Sequence, residues 1–164
     1  MGPGPGPGPG PNKWCPRLSL TARLILALTW CWAGWAKLVA PEEAAQAVRA
    51  FRILPETLVA PVAYGLPALE IGLAVLLLLG FRVRFAAALS ALLLTAFTAA
   101  LVRAWATGLS IDCGCFGGGG DTDPASTQYA TELARDLGLL ALSAWLVYRP
   151  ASRWSLEVLA PHTG

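Results

Sequence analysis

Apolar residues in this chain come in long unbroken blocks, with no strand-like alternation. Leu18 to Val39, Leu58 to Gly80 and Phe85 to Val102 form three such blocks. A bilayer core of about 30 Å is crossed by about 20 helical residues, so each block predicts a spanning helix. A fourth apolar run, Leu137 to Tyr148, is too short by itself. Asp123-Pro124 ahead of it has the character of a helix start, with Asp as N-cap and Pro at the first helical position. The spacing therefore predicts a helix over 124–148 that Arg149-Pro150 ends, its first turns at the interface. Helices are the expected spanning form because lipid offers backbone groups no partners. The pattern predicts an all-α, polytopic membrane protein, a four-transmembrane-helix bundle. Its helices fall at about 18–39, 58–80, 85–103 and 124–148, within a domain over 17–149. A Gly/Pro-rich tail over 1–16, containing GPGPGPGPGP, and a C-terminal tail over 150–164 flank it. The first tail is expected to be disordered, because Pro removes backbone donors and Gly adds entropy. The first apolar block exceeds the 7–15 residues of a secretory h-region and reads as a retained helix.

Composition agrees with lipid as the solvent. Of the 164 residues, 55% are hydrophobic and 13% are charged, against roughly 25% charged in soluble domains. Mean hydropathy is +0.56. A soluble domain of this size leaves about 30% of its chain surface exposed, and the charges here are too few to coat it. This excludes an ordinary soluble enzyme, a disordered chain and a disulfide-rich secreted module. A net charge of +2 without a basic stripe gives no footprint for nucleic acid. The scarce cations set an orientation. Lys13, Arg17, Arg82, Arg84, Arg149 and Arg153 share one side of a four-span chain, and Lys37, Arg49, Arg52 and Arg103 the other. The balance places both termini in the cytoplasm and the 40–57 and 103–130 loops outside.

Candidate chemistry sits where the composition departs from bland membrane sequence. Cys113 and Cys115, separated by Gly114, follow the third span in IDCGCFGGGG. Two thiols this close can close a small, tight disulfide ring, and Gly114 permits the backbone angles it demands. Departure from relaxed geometry makes such a bond reducible, and labile disulfides are catalytic or regulatory. The oxidising side of the membrane suits it. Asp112 beside the pair is a candidate proton relay, Phe116 a candidate interface anchor, and Gly117 to Gly120 are expected to leave the loop mobile. A structural disulfide and a metal-holding pair are the competing readings. The first closes too short a loop to add much, and the second lacks the four ligands of a structural zinc site.

Glu70 lies in the middle of the second span, where an ionisable group is expensive and faces the bundle interior. It is a candidate proton relay or quinone contact, or else a structural clamp, with Lys37 at the outer end of the first span as the obvious cation. Pro61 and Pro67 are expected to bend this helix or open carbonyls in it. Lys37, Glu70 and Arg103 are the candidates for handling a quinone. Glu132, Arg135 and Asp136 read as a mutually neutralising interfacial cluster. Cys31 reads as a buried free thiol packing as a small hydrophobe, and Cys15 as cytoplasmic and reduced. Ala33-Gly34 is a small-residue site for close helix approach. The tryptophans read mostly as interface anchors, and His162 has no assigned role.

AGWAKL at the end of the first span, FRILP in the first loop, LPALEIGLAVLLLLG in the second span, IDCGCFG after the third and RDLGLLAL in the fourth resemble the MauE/DoxX family of redox-associated membrane proteins, in particular its MauE branch. The resemblance covers about 17–148. It implies a four-helix protein of the bacterial plasma membrane supporting maturation of a periplasmic, disulfide-rich methylamine dehydrogenase-like subunit through thiol–disulfide exchange. Cys113 and Cys115 match the family's Cys pair and Glu70 its acidic residue in the second helix. No resident cofactor is implied with certainty, a quinone being the candidate. The partners expected are the lipid bilayer and an extracytoplasmic thiol or disulfide protein. The alternative is a non-catalytic membrane scaffold or chaperone subunit with a structural or metal-holding Cys pair.

Overall fold

A computed structural model describes residues 14–149, apart from 115–117, 122 and 124–126 and the side chains of 14–16. The two tails lie outside these residues. The chain runs α1 (Trp14–Val39), α2 (Pro41–Ala50), α3 (Glu56–Leu79), α4 (Val83–Ala106), β1 (Ile111–Asp112), β2 (Gly120–Asp121) and α5 (Tyr129–Tyr148). The protein is all-α apart from the two-stranded antiparallel hairpin, in which Ile111 pairs with Asp121 and Asp112 with Gly120.

Among the described residues, three helices are long and apolar enough to cross a membrane: the 17–39 part of α1, α3 and α4. Helix α5 is 20 residues long, with Glu132, Arg135 and Asp136 in its first turns. It begins at Tyr129, and the expected start at Pro124 lies outside the described residues. Asp123 is outside any helix, and Gln128 occupies the N-cap position without a side-chain cap. Two further elements depart from the expected loops. Within 40–57, α2 starts with Pro41 at its first turn, carries Glu42 and Glu43 there and Arg49 in its last turn, which matches the helix dipole at both ends. Within 103–130, the hairpin replaces open loop.

The turn between α3 and α4 is tight. Gly80 adopts a left-handed conformation (φ 66°), and the Phe81 amide donates to the Leu76 carbonyl at 3.1 Å while Gly80 N–H donates to Leu77 at 3.2 Å. This is the Schellman pairing that a C-terminal glycine permits. Helix α1 packs most extensively against α3, and α4 against α5. Gly34 sets the first contact: a Cβ there would lie 2.8 Å from Ile71 Cγ1 and 3.1 Å from the Pro67 carbonyl oxygen. The small-residue expectation for Ala33-Gly34 is met at this crossing. Pro61 and Pro67 lie within an unbroken α3.

The core between these helices includes Leu26, Leu73, Leu77, Leu94 and Leu146. Trp30 belongs to it, and its Nε1–H donates to the buried Ser90 Oγ at 2.9 Å. This tryptophan is a core residue rather than an interface anchor, because Ser90 satisfies its one donor. Cys31 is free and exposed. It does not pack in the core as expected, because Trp30 and Ala33 take the inward positions on that turn of α1. Leu28, Trp32, Trp35 and Leu92 also point outward, forming an apolar exterior suited to lipid.

Candidate functional site

The two connections at one end of the bundle meet, and Cys113 is at their junction. Cys113 is disulfide-bonded, and its partner lies outside the described residues, as do the positions of Cys115 and Phe116. Cys113 is buried with Ala50, Leu101, Ala104, Ile111 and Tyr129. Tyr129 ties α5 to the hairpin: its hydroxyl donates to the Leu109 carbonyl and accepts from the Ile111 amide at 3.3 Å, while its ring stacks on Trp105.

Glycines let α2 lie directly on this loop. Gly114 (φ +66°) would place a Cβ 2.8 Å from Ala47 Cβ, and Gly119 (φ +110°) would place one 2.6 Å from it. Both positions also favour glycine by conformation. The Gly118 amide donates to Glu43 Oε2 at 3.1 Å. The Gly118 to Gly120 stretch therefore lies directly against α2, and Gly117 is outside the described residues. Asp112 Oδ1 accepts from the Gly114 amide at 3.1 Å, so this carboxylate shapes the turn that carries Cys113.

The charged residue brought to Cys113 from a distance is Glu132, on the first turn of α5. Its carboxylate accepts a hydrogen bond from the Cys113 amide, and Oε2 is buried without a hydrogen-bond partner among the described residues. Arg135 Nη2 pairs with Asp136 Oδ1 at 3.0 Å and Arg135 also acts electrostatically on Glu132, so the three form the expected charge cluster. Sequence spacing carries no signal for the Cys113–Glu132 contact, which crosses the whole α4–α5 connection.

Lys37 and Glu70 form the expected pair. Lys37 Nζ lies 3.0 Å and 3.1 Å from the two oxygens of a fully buried Glu70, and 3.3 Å from the Ala33 carbonyl oxygen. Lys37 and Glu70 share a gap of about 20 Å³ with Arg135 and Asp136, large enough for one water. Arg103 is set apart from them: its Nη1 donates to the Phe51 carbonyl at 3.1 Å and so fastens the α2–α3 connection to α4. Arg49, outside the apolar helices, pairs with Glu56 at 2.7 Å, and that carboxylate raises the guanidinium further above its ordinary value.

Beside the Lys37–Glu70 pair is a cavity of about 260 Å³ enclosed by α1, α2, α3 and α4. Val48, Phe51, Leu66 and Phe97 give it apolar walls, and Lys37 and Cys113 both face it. Among the described residues, no group of three His, Cys, Asp or Glu side chains is placed to hold a metal ion.

A predominantly helical membrane protein whose apolar cavity touches both the lysine of a buried ion pair and a disulfide-bonded cysteine is the class that this geometry defines. The MauE family profile, described as methylamine utilisation protein MauE, matches residues 15–149. The chain belongs to the MauE family. No curated protein matches it, and no solved structure does either.

Proposed function

We propose that this protein is a thiol–disulfide exchange protein of the bacterial plasma membrane, with Cys113 and Cys115 as the exchanging pair on the extracytoplasmic side. The observation that carries the reading is the disulfide at Cys113, seated where α2, α4 and α5 converge. Under this reading a partner thiolate attacks the Cys113–Cys115 disulfide and forms a mixed disulfide. The second partner thiol then displaces it. The partner leaves oxidised, and the pair is left as a dithiol. Family membership favours a partner associated with methylamine utilisation, such as a disulfide-rich dehydrogenase subunit under maturation.

In this proposal α5 is the fourth span. Its Leu137–Tyr148 stretch is apolar, and Ser19 Oγ of α1 donates to the Arg149 carbonyl at 2.9 Å, which supports a common side for the two ends. Contact between α2 and the hairpin supports a common side for the other two connections. The cation balance makes the first side cytoplasmic.

The test is trapping. Cys115→Ser leaves Cys113 as the sole thiol of the pair, and Cys113→Ser does the converse. In cells, one of the two is expected to yield a covalent adduct that dithiothreitol releases. Absence of an adduct with both variants, together with unchanged disulfide formation in extracytoplasmic proteins, overturns the reading. A second reading, a membrane scaffold with a structural disulfide, is favoured by the burial of Cys113 in a packed cluster. It requires that same negative outcome, with a loss of thermal stability in both variants.

A further inference from the structure

The cavity between Lys37 and Cys113 has three properties that together select a ligand. Its walls are apolar, and its volume of about 260 Å³ is near the lower end of the roughly 300–1,000 Å³ typical of small-molecule sites. Lys37 is the one charged side chain on its described lining, and that charge is already balanced by Glu70 at 3.0 Å. An anionic ligand therefore gains little there, whereas a neutral ligand with a carbonyl acceptor needs no counter-charge and can take the place of the Ala33 carbonyl, which Lys37 Nζ meets at 3.3 Å. At the same cavity lies a cysteine whose disulfide is a two-electron, two-proton couple. Ala96 of α4, also on the lining, is exposed, so the cavity reaches the apolar exterior.

A neutral, apolar, carbonyl-bearing molecule that takes two electrons and two protons and arrives through lipid is a quinone. We propose that this cavity binds the ring of a membrane quinone, with Lys37 directed to one ring oxygen and Cys113 beside the ring. The inference rests on the thiol-exchange reading above and supplies its electron acceptor. Two S–H bonds are lost from the reduced pair and one S–S bond forms. The electron pair passes to the ring, and the two protons end on its two oxygens as quinol. The oxidised Cys113 of the structure is the state this step leaves. Lys37 is a binding residue in the proposal, and Glu70 holds it in place.

The test uses the purified full chain in lipid nanodiscs with decylubiquinone as the probe. Binding is measured by equilibrium dialysis for the wild type, for Ala100→Trp on the cavity wall, and for Leu92→Trp, which is 65% exposed on the outer face of α4. The wild type and Leu92→Trp are expected to bind equally, and Ala100→Trp at least tenfold more weakly. Equal binding by all three folded proteins overturns the site. An azidoquinone used on the wild type keeps the test independent of how Ala100→Trp folds. Labelling of peptides spanning 44–66 or 96–114 supports the site, and labelling confined elsewhere overturns it. Labelling of those peptides by a photoreactive fatty acid that decylubiquinone fails to displace assigns the cavity to lipid and likewise overturns the proposal. Cys113→Ser is expected to bind quinone but to form no quinol with dithiothreitol as electron donor. Absence of quinone binding alongside a trapped Cys113 adduct refutes this inference alone. Quinone binding without any trapped adduct refutes the thiol-exchange reading and leaves the site standing.

Discussion

The amide of Cys113 donates to the carboxylate of Glu132, so a residue on the first turn of α5 holds the backbone of the disulfide-bonded loop after α4. The other oxygen of that carboxylate is buried and unpartnered among the described residues. A negative charge at this position would disfavour a thiolate at Cys113.

Replacing Glu132 by Gln keeps the acceptor and removes the charge. At a pH where the reduced pair is ionised, the thiolate is then less disfavoured and the reduction potential should rise by on the order of 30 mV, equivalent to about tenfold in the equilibrium constant. Redox titration against glutathione buffers, with thiols counted by maleimide mass shift, measures it. An unchanged potential would show that the carboxylate has no electrostatic hold on the couple. Glu132→Ala should in addition loosen the loop, seen as faster proteolysis between α4 and α5.

Glycine substitutions separate conformational strain from steric exclusion. At Gly108 (φ +68°) a Cβ meets no atom within 4 Å, so Gly108→Ala should cost only the left-handed conformation, about 1 kcal/mol. At Gly119 (φ +110°) the added Cβ would lie 2.6 Å from Ala47 Cβ and 2.9 Å from Gly114 Cα, so Gly119→Ala should cost about 3 kcal/mol or more. Unfolding in mixed micelles ranks the two. Equal losses would mean that α2 does not bear on the loop.

The buried pair of Lys37 and Glu70 should respond asymmetrically to mutation. Lys37→Met leaves an uncompensated carboxylate in the bundle and should destabilise by roughly 3 kcal/mol, whereas the double variant Lys37→Met/Glu70→Leu should recover most of that loss. A double-mutant cycle in micelles checks this, and additive losses would contradict the pairing.

The orientation has its own expected outcome. After mild reduction of intact cells, a charged maleimide should modify Cys113, while Cys15 should react only after permeabilisation. The reverse pattern would invert the topology and place the pair in a reducing compartment.

How far the sequence reaches differs element by element. The cores of α1, α3 and α4 were legible because a run of about 20 apolar residues is a property of composition that no tertiary contact overrides. The Lys37–Glu70 pair was legible because an acid at mid-span has few cations within reach. Helix α2 carried weaker signals, Pro41, Glu42, Glu43 and alanines at 44, 45, 47 and 50, and 10 residues set against long apolar blocks read as loop. The sequence set the start of its last helix at Pro124, which lies outside the described residues, and α5 starts at Tyr129, where Gln128 offers no side-chain cap that spacing could reveal. The hold of Glu132 on Cys113 depends on the path of a glycine-rich connection, and glycines specify permission rather than direction.

Ala47 has one further consequence. Its methyl group fills the space left by two absent side chains, at Gly114 and Gly119, more than sixty residues along the chain. Position 47 is thereby bound to positions it never neighbours in sequence. Among relatives that keep this loop, a larger residue at 47 should be accompanied by a reshaped or shortened glycine run, and drift at one site should leave a covarying trace at the others.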